Sequence, residues 1–258
     1  LGLVKRLVKF YKPNRGFDLR TRVEAPPGAG LGGSSAIALA VGALLNRITG
    51  GGHDMAKLIE LVRDLEAQAL GVPAGVQDHY AAAYGGLNTI WLEPGRVWHE
   101  RLDLSAIFLK ELEARLILAH SGVAHRSGRL NWGVVKRYVE GDPRARDGLR
   151  RVKEAALRMR EALIAEDLEG VGEALHAEWE ARRQLAPGIT NPEIDHLIGR
   201  APASGAAGTK LCGAGGGGAL LLLVEEGARA QLEQVLMEER VKPLGFGLAP
   251  RGLQIEEV

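Results

Sequence analysis

Two acids and a pair of hydroxyls accompany a glycine-rich stretch near the start of this chain. Pro27, Gly28, Ala29, Gly30, Leu31, Gly32, Gly33, Ser34 and Ser35 run directly into the apolar segment AIALAVGALL. Glycine lets backbone amides approach a ligand, and the start of a helix adds unpaired N–H groups and partial positive charge. Such a mouth suits a phosphate. Ser34 and Ser35 have two readings, since they either cap the helix or turn outward to a magnesium ion held by that phosphate. The loop alone leaves both open. Glu66 follows Val62 by four residues and Ile59 by seven, on the edge of an apolar helix face where a surface glutamate is not expected. Asp78, in GVQDHY, either N-caps the next short helix or faces a ligand. Phosphoryl transfer needs a metal-binding carboxylate and a group that orients or deprotonates the attacking hydroxyl. Glu66 is the candidate for the first task and Asp78 for the second.

Two other readings of the glycines fail on context. Gly28, Gly30 and Gly33 satisfy G-x-G-x-x-G, but the preceding LRTRVEA alternates with charges, unlike a dinucleotide fold's doubly buried first strand. No G-x-x-x-x-G-K-[ST] occurs, so the chain has no Walker A loop. A second run, CGAGGGG over 212–218, is followed by the strand-like ALLLLVEE rather than by a helix. Between two strands, such a run lets backbone pass close to another segment or to a ligand. Two glycine loops, the first with a serine helix, argue for a nucleotide wrapped by backbone.

The elements that must hold these residues follow from periodicity. LGLVKRLVKFYK reads as a helix and 19–25 as a half-exposed strand. A helix from Ser34, apolar on most sides and therefore interior, ends near Gly50. Asp54 caps a helix to about Leu70 whose apolar face carries Leu58, Ile59, Val62 and Leu65. GLNTIWL and RVWHERL, joined by EPG, form a hairpin. ARLILAH is a strand, 143–184 is helical, NPEIDHLIGR is a short helix, and the end alternates strand, loop, strand, helix and a last strand near 252–257. This is an α+β chain with a domain change near 120–127.

The chain has 258 residues, 46% hydrophobic and 25% charged, enough for a sizeable core. Its net charge of +1, with charges interspersed, recruits neither nucleic acid nor an anionic membrane. No apolar run reaches the roughly 18 residues of a membrane span. One cysteine, Cys212, precludes an internal disulfide, and a cytoplasmic setting is the expectation. The expected partner is a small molecule, and homodimerisation stays open.

PPGAGLGGSSA, then LEAQALGVPAGVQDHYAAAYGG, then KLCGAGGGG, in this order and spacing, resemble the second motif, acidic segment and third motif of the GHMP kinases. That family includes galactokinase, homoserine kinase and mevalonate kinase. QDHYAAAYGGLN, LHAEWEARRQL, GITNPEID and GTKLCGAGGGG resemble its branch that phosphorylates the anomeric hydroxyl of D-glycero-D-manno-heptose 7-phosphate. The resemblance implies a two-lobed fold: a ribosomal S5 domain 2-like lobe over 1–125 and a ferredoxin-like lobe over 126–258. It implies an ATP- and magnesium-dependent sugar kinase. The loop from Pro27 to Ser35 would hold the ATP phosphates through the amides of Gly28 to Ser35, Ser34 and Glu66 the magnesium ion, and Asp78 the acceptor hydroxyl. Gly213, Gly215, Gly216 and Gly217 would shape the substrate side, and Arg126 would grip a sugar phosphate, with Arg182 and Arg183 as weaker candidates. The first family motif has no counterpart in these residues, and Gly33 stands where many members carry serine. Other acceptors within the family, and a nucleotide-binding protein without turnover, are the alternative readings.

Overall fold

The computed structural model describes residues 2–123 and 127–257, which divide into two compact units. The first takes in the chain up to Pro26, Gly32–Arg101 and the segment from Ala249 onward; the second takes in Pro27–Leu31 and Leu102–Leu248.

The first unit is built on helices. Helix α1 (Gly2–Tyr11) buries Leu7 and Tyr11 against α2 (Gly33–Ile48) and α3 (Met55–Leu70). Asp54 caps α3 as its position predicts, accepting from Lys57 N at 2.8 Å, and Gly71 ends it in the left-handed conformation at φ 69°. Leu58, Ile59, Val62 and Leu65 all enter the core. The expectation for α2 is only partly met: Ala38, Leu39, Val41 and Leu45 are buried, but Leu44 and Ile48 are 41% and 58% exposed. Helix α4 (Gln77–Tyr84) adds Tyr80 and Ala83 to the same core. A hairpin of β1 (Asn88–Glu93) and β2 (Arg96–Arg101) follows, with Trp91 and Trp98 paired across it.

Neither flanking strand expected for this unit forms. Residues 19–25 run without a partner, because among the described residues the sheets contain only the hairpin and the four-stranded sheet of the second unit. Alternation makes a strand only where a neighbouring ladder exists to satisfy its backbone. The segment at 252–257 also lacks strand structure and is tied instead to the end of α4, with Leu253 N donating to Ala83 O at 3.2 Å. The late strand of the chain lies earlier, at Lys242–Leu244.

The second unit opens with α5 (Ala106–Arg115), capped by Ser105, and β3 (Leu116–His120). Helices α6 (Ser127–Val139), α7 (Pro143–Ile164), α8 (Leu168–Arg182) and α9 (Pro192–Arg200) precede β4 (Ala206–Leu211) and β5 (Ala219–Val224). Helix α10 (Arg229–Glu238) and β6 (Lys242–Leu244) close it. The strands lie in the order β4-β5-β3-β6, every neighbouring pair antiparallel. That is the ferredoxin-like order, with four helices between its first two strands. Continuous leucine makes β5 a central strand: Leu220 and Leu222 join Trp179 of α8, Ile194 of α9 and Leu232 of α10 in one core. The division differs from the expected break at 125/126, since β3 is hydrogen-bonded to β5 and so belongs with the second unit.

Candidate active site

Helix α2 begins without a side-chain cap. Its N-cap is Gly32, in the left-handed conformation at φ 70°, and neither following serine turns back to the first-turn amides. Those N–H groups have no acceptor in the preceding turn, so the mouth keeps its capacity for an anion. Both serines reach the last turns of α3 instead. Ser34 Oγ donates to Glu66 Oε1 at 2.8 Å and Ser35 Oγ to Glu66 Oε2 at 2.9 Å. The capping alternative is thereby excluded.

Glu66 is 6% exposed, as its place beside the apolar face of α3 predicts. Burial alone would raise its carboxyl, but contacts from His79 and hydrogen bonds from Ser34 and Ser35 outweigh it and hold the group below the usual glutamate range. His79 is fully buried, with Nε2 3.2 Å from Glu66 Oε2. The approach is off the line of a well-made hydrogen bond, and neither ring nitrogen has a hydrogen-bond partner among the described residues.

Asp78 is not the N-cap of α4. Val76 holds that place, and Asp78 stands in the first helical turn with its side chain against Gly32. A Cβ on Gly32 would come within 2.9 Å of the Asp78 Cβ, so the close approach requires glycine there on both steric and conformational grounds. Burial raises the Asp78 carboxyl above the ordinary aspartate range; His79 and Gln77 oppose the shift and the charge on Glu66 adds to it. The structure thus brings Ser34, Ser35, Glu66 and Asp78 together at one helix mouth. His79, whose type permits both a shuttle and a structural reading, is the additional member; only the fold reveals that it faces Glu66.

Within the second unit, Pro27–Leu31 lies on the second glycine run. Ala219 N donates to Ala29 O at 2.8 Å, a Cβ on Gly218 would come within 2.7 Å of that oxygen, and one on Gly30 within 2.8 Å of Cys212 O. The close passage read from CGAGGGG is therefore made to another segment, the first glycine loop itself. Gly215 and Gly216 lie against Ile189 and Gly188, and Gly217 against Val123. Gly213, too, has positive φ, at 73°.

Arg126 lies outside the described residues. Arg182 and Arg183 are engaged elsewhere: Arg182 pairs with Glu178, and Arg183 with Glu180 and Asp195. Lys210 is 2.8 Å from Glu178 as well, and Trp179 is wholly buried in the core. Among the described residues no group of three or more His, Cys, Asp or Glu forms a ready-made metal cage, and no helix is long and apolar enough to cross a membrane.

The model of the GHMP kinases N terminal domain matches residues 2–86, and that of the GHMP kinases C terminal domain matches residues 159–241. The chain belongs to the GHMP kinases, a family of ATP-dependent kinases. It is 28% identical to a D-glycero-alpha-D-manno-heptose 7-phosphate kinase of Campylobacter jejuni, over 98% of this chain and 75% of that protein. It is 31% identical to a bifunctional fucokinase/GDP-fucose pyrophosphorylase of Arabidopsis thaliana, over 88% of this chain but 22% of that much longer protein. The crystal structure of a D-glycero-D-manno-heptose 1-phosphate kinase from Bacteriodes thetaiotaomicron shares the fold, with a TM-score of 0.74 at 22% identity, over 99% of this chain and 75% of that one.

Proposed function

We propose that the chain transfers the γ-phosphoryl group of ATP to the anomeric hydroxyl of D-glycero-D-manno-heptose 7-phosphate. The observation that carries the reading is the convergence of Ser34, Glu66 and Asp78 on the uncapped start of α2. The likeness to the Campylobacter heptose 7-phosphate kinase along nearly the whole chain supports the choice of acceptor.

In this reading, the amides from Gly28 to Ser35 hold the ATP phosphates and the helix dipole offsets their charge. A carboxylate held ionised beside a serine hydroxyl fits magnesium, which is bound through few protein oxygens and completes its shell with phosphate and water. Ser34 and Glu66 would hold it, and bound magnesium would neutralise charge on the transferring phosphoryl group. Asp78 accepts the hydrogen bond of the acceptor O–H and orients its oxygen. As that oxygen forms its bond to the γ-phosphorus, the bond to the leaving β-phosphate oxygen breaks, ADP departs, and the acceptor's proton passes to Asp78. An anomeric hydroxyl is more acidic than an ordinary alcohol, which lessens the basicity required. Gly213, beside Gly30, together with Gly215, Gly216 and Gly217, against the backbone of Gly188–Ile189 and Val123, shapes the substrate side. An intracellular ATP supply accords with a cytoplasmic setting.

ADP release measured over a panel of sugars, sugar phosphates, homoserine and mevalonate tests the proposal. The expected result is the highest kcat/KM with the 7-phosphorylated heptose and formation of its 1,7-bisphosphate. A higher value with a non-phosphorylated hexose or with a non-sugar alcohol overturns the acceptor assignment.

A further inference from the structure

Glu66 presents two oxygens with different surroundings. Oε2 takes the hydroxyl of Ser35, which is 6% exposed, and faces Nε2 of His79, which is fully buried. Among the described residues Oε1 takes only the hydroxyl of Ser34, an exposed residue. We propose that His79 and Ser35 are positioning residues that clamp Oε2, and so present Oε1 together with the Ser34 hydroxyl to a divalent cation. The proposal rests on the reading of Glu66 as the magnesium carboxylate.

Burying an imidazole carries a cost. A ring that is wholly out of water without a good partner is less favourable than an apolar side chain of similar size. Among the described residues neither nitrogen of His79 has a well-aligned hydrogen bond, and the polar group within reach of Nε2 is the Glu66 carboxylate. The histidine is therefore accounted for by what it does to Glu66. A glutamate carboxylate turns about a broad terminal torsion, and two contacts on one oxygen remove that freedom. Without them, either oxygen could swing toward Ser34, and a cation would have to fix the group as it bound. With them, the outward oxygen is selected beforehand, in the way that hydrogen-bonded partners orient metal ligands elsewhere. The arrangement divides the two serines by task. Ser34, exposed and on Oε1, is the hydroxyl toward the cation; Ser35, buried and on Oε2, is part of the clamp.

Manganese affinity, followed by electron paramagnetic resonance in the presence of a non-hydrolysable ATP analogue, reads this directly without turnover. Comparison of the wild-type chain with His79→Leu, His79→Gln, Ser35→Ala and Glu66→Gln, each checked for folding by circular dichroism, separates the contributions. Removal of the imidazole contact in His79→Leu should weaken manganese binding by about tenfold or more. His79→Gln, which restores an N–H donor, should recover most of that affinity. Ser35→Ala should weaken binding in the same direction. In turnover, His79→Leu should raise the manganese concentration needed for half-maximal rate. Equal losses in the Leu and Gln variants, or wild-type affinity in both Ser35→Ala and His79→Leu, overturn the clamp. If His79→Leu does not fold, wild-type affinity in Ser35→Ala overturns it instead. Wild-type affinity in Glu66→Gln shows that the metal reading of Glu66 has failed, whereas a loss there with none in the clamp variants refutes the clamp alone.

Discussion

Glu66 and Asp78 share one helix mouth, yet their surroundings move their carboxyl groups in opposite directions. For Glu66, desolvation is outweighed by the contact with His79 and the hydroxyl donors of Ser34 and Ser35, so the ionised form is favoured in the folded protein. Its contribution to stability is present above the unfolded-state value and is lost as pH falls through the lowered folded value. For Asp78, desolvation and the neighbouring Glu66 charge win, so the folded protein holds that proton more tightly than the unfolded chain does. The Asp78 contribution is greatest below the unfolded-state value and is lost as pH rises through the raised folded one. At neutral pH an ionised Asp78 is therefore a burden on the fold. Asp78→Asn should raise the melting temperature at neutral pH, and calorimetry should show the gain shrinking in mildly acidic buffer. The same substitution should lower kcat by about 10²–10⁴ if Asp78 takes the acceptor proton, with nucleotide affinity retained in an equilibrium titration. Glu66→Gln should do the reverse to stability, lowering the neutral-pH melting temperature because two hydroxyls lose their charged acceptor. A stability gain paired with lost turnover at Asp78 would mark an acid kept for chemistry, which a structural N-cap would not give.

At the scale of elements, Gly32 sets the distance between α2 and α4. Its φ of 70° and the 2.9 Å that a Cβ would leave to Asp78 make it a position where a methyl group is unwelcome at the mouth. Gly32→Ala should cost about 1–2 kcal/mol from the left-handed backbone alone. The accompanying shift of Asp78 should lower kcat more than it raises the KM for ATP. Urea titration and steady-state kinetics on the one variant check both halves. The glycine loop, the helix it opens and the two acids were legible in the sequence because each is a local pattern. Glycine before an apolar helical run, and a glutamate at the edge of an apolar helix face, carry their meaning within a few residues. The two serines and Asp78 were legible only as alternatives, since capping and ligand-facing use the same residue types. The part played by His79 depends on α3 and α4 lying together, which no local spacing states. The hairpin and strands β3, β4 and β5 were legible, but LRTRVEA alternates as a strand does without forming one, because alternation does not supply a partner. Helix α5 carries too little regular apolar periodicity to be set apart from its neighbours.

At the scale of the whole chain, the units are not segments of sequence. The first is assembled from the chain up to Pro26, from Gly32–Arg101 and from the end that begins at Ala249. That returning end braces α4, the helix that carries Asp78 and His79. Gly86 N donates to Ala249 O at 2.7 Å, Leu253 N to Ala83 O at 3.2 Å, and Leu253 packs against the core of this unit. The approach is close enough that a Cβ on Gly85 would come within 2.3 Å of the Arg251 backbone, at a residue already at φ 62°. A chain ending after Leu248 should therefore lose order in α4 first. Hydrogen exchange of the α4 amides should quicken in that shortened chain while the β5 amides, held by β3 and β4 in the other unit, keep their protection. Turnover should fall with them, because Asp78 would no longer be held against Gly32. Gly85→Ala should produce a milder form of the same pattern by pushing the returning segment away. Uniform loss of protection across both units would mean that the end stabilises the molecule as a whole, and unchanged α4 exchange would mean that the brace contributes nothing to the site.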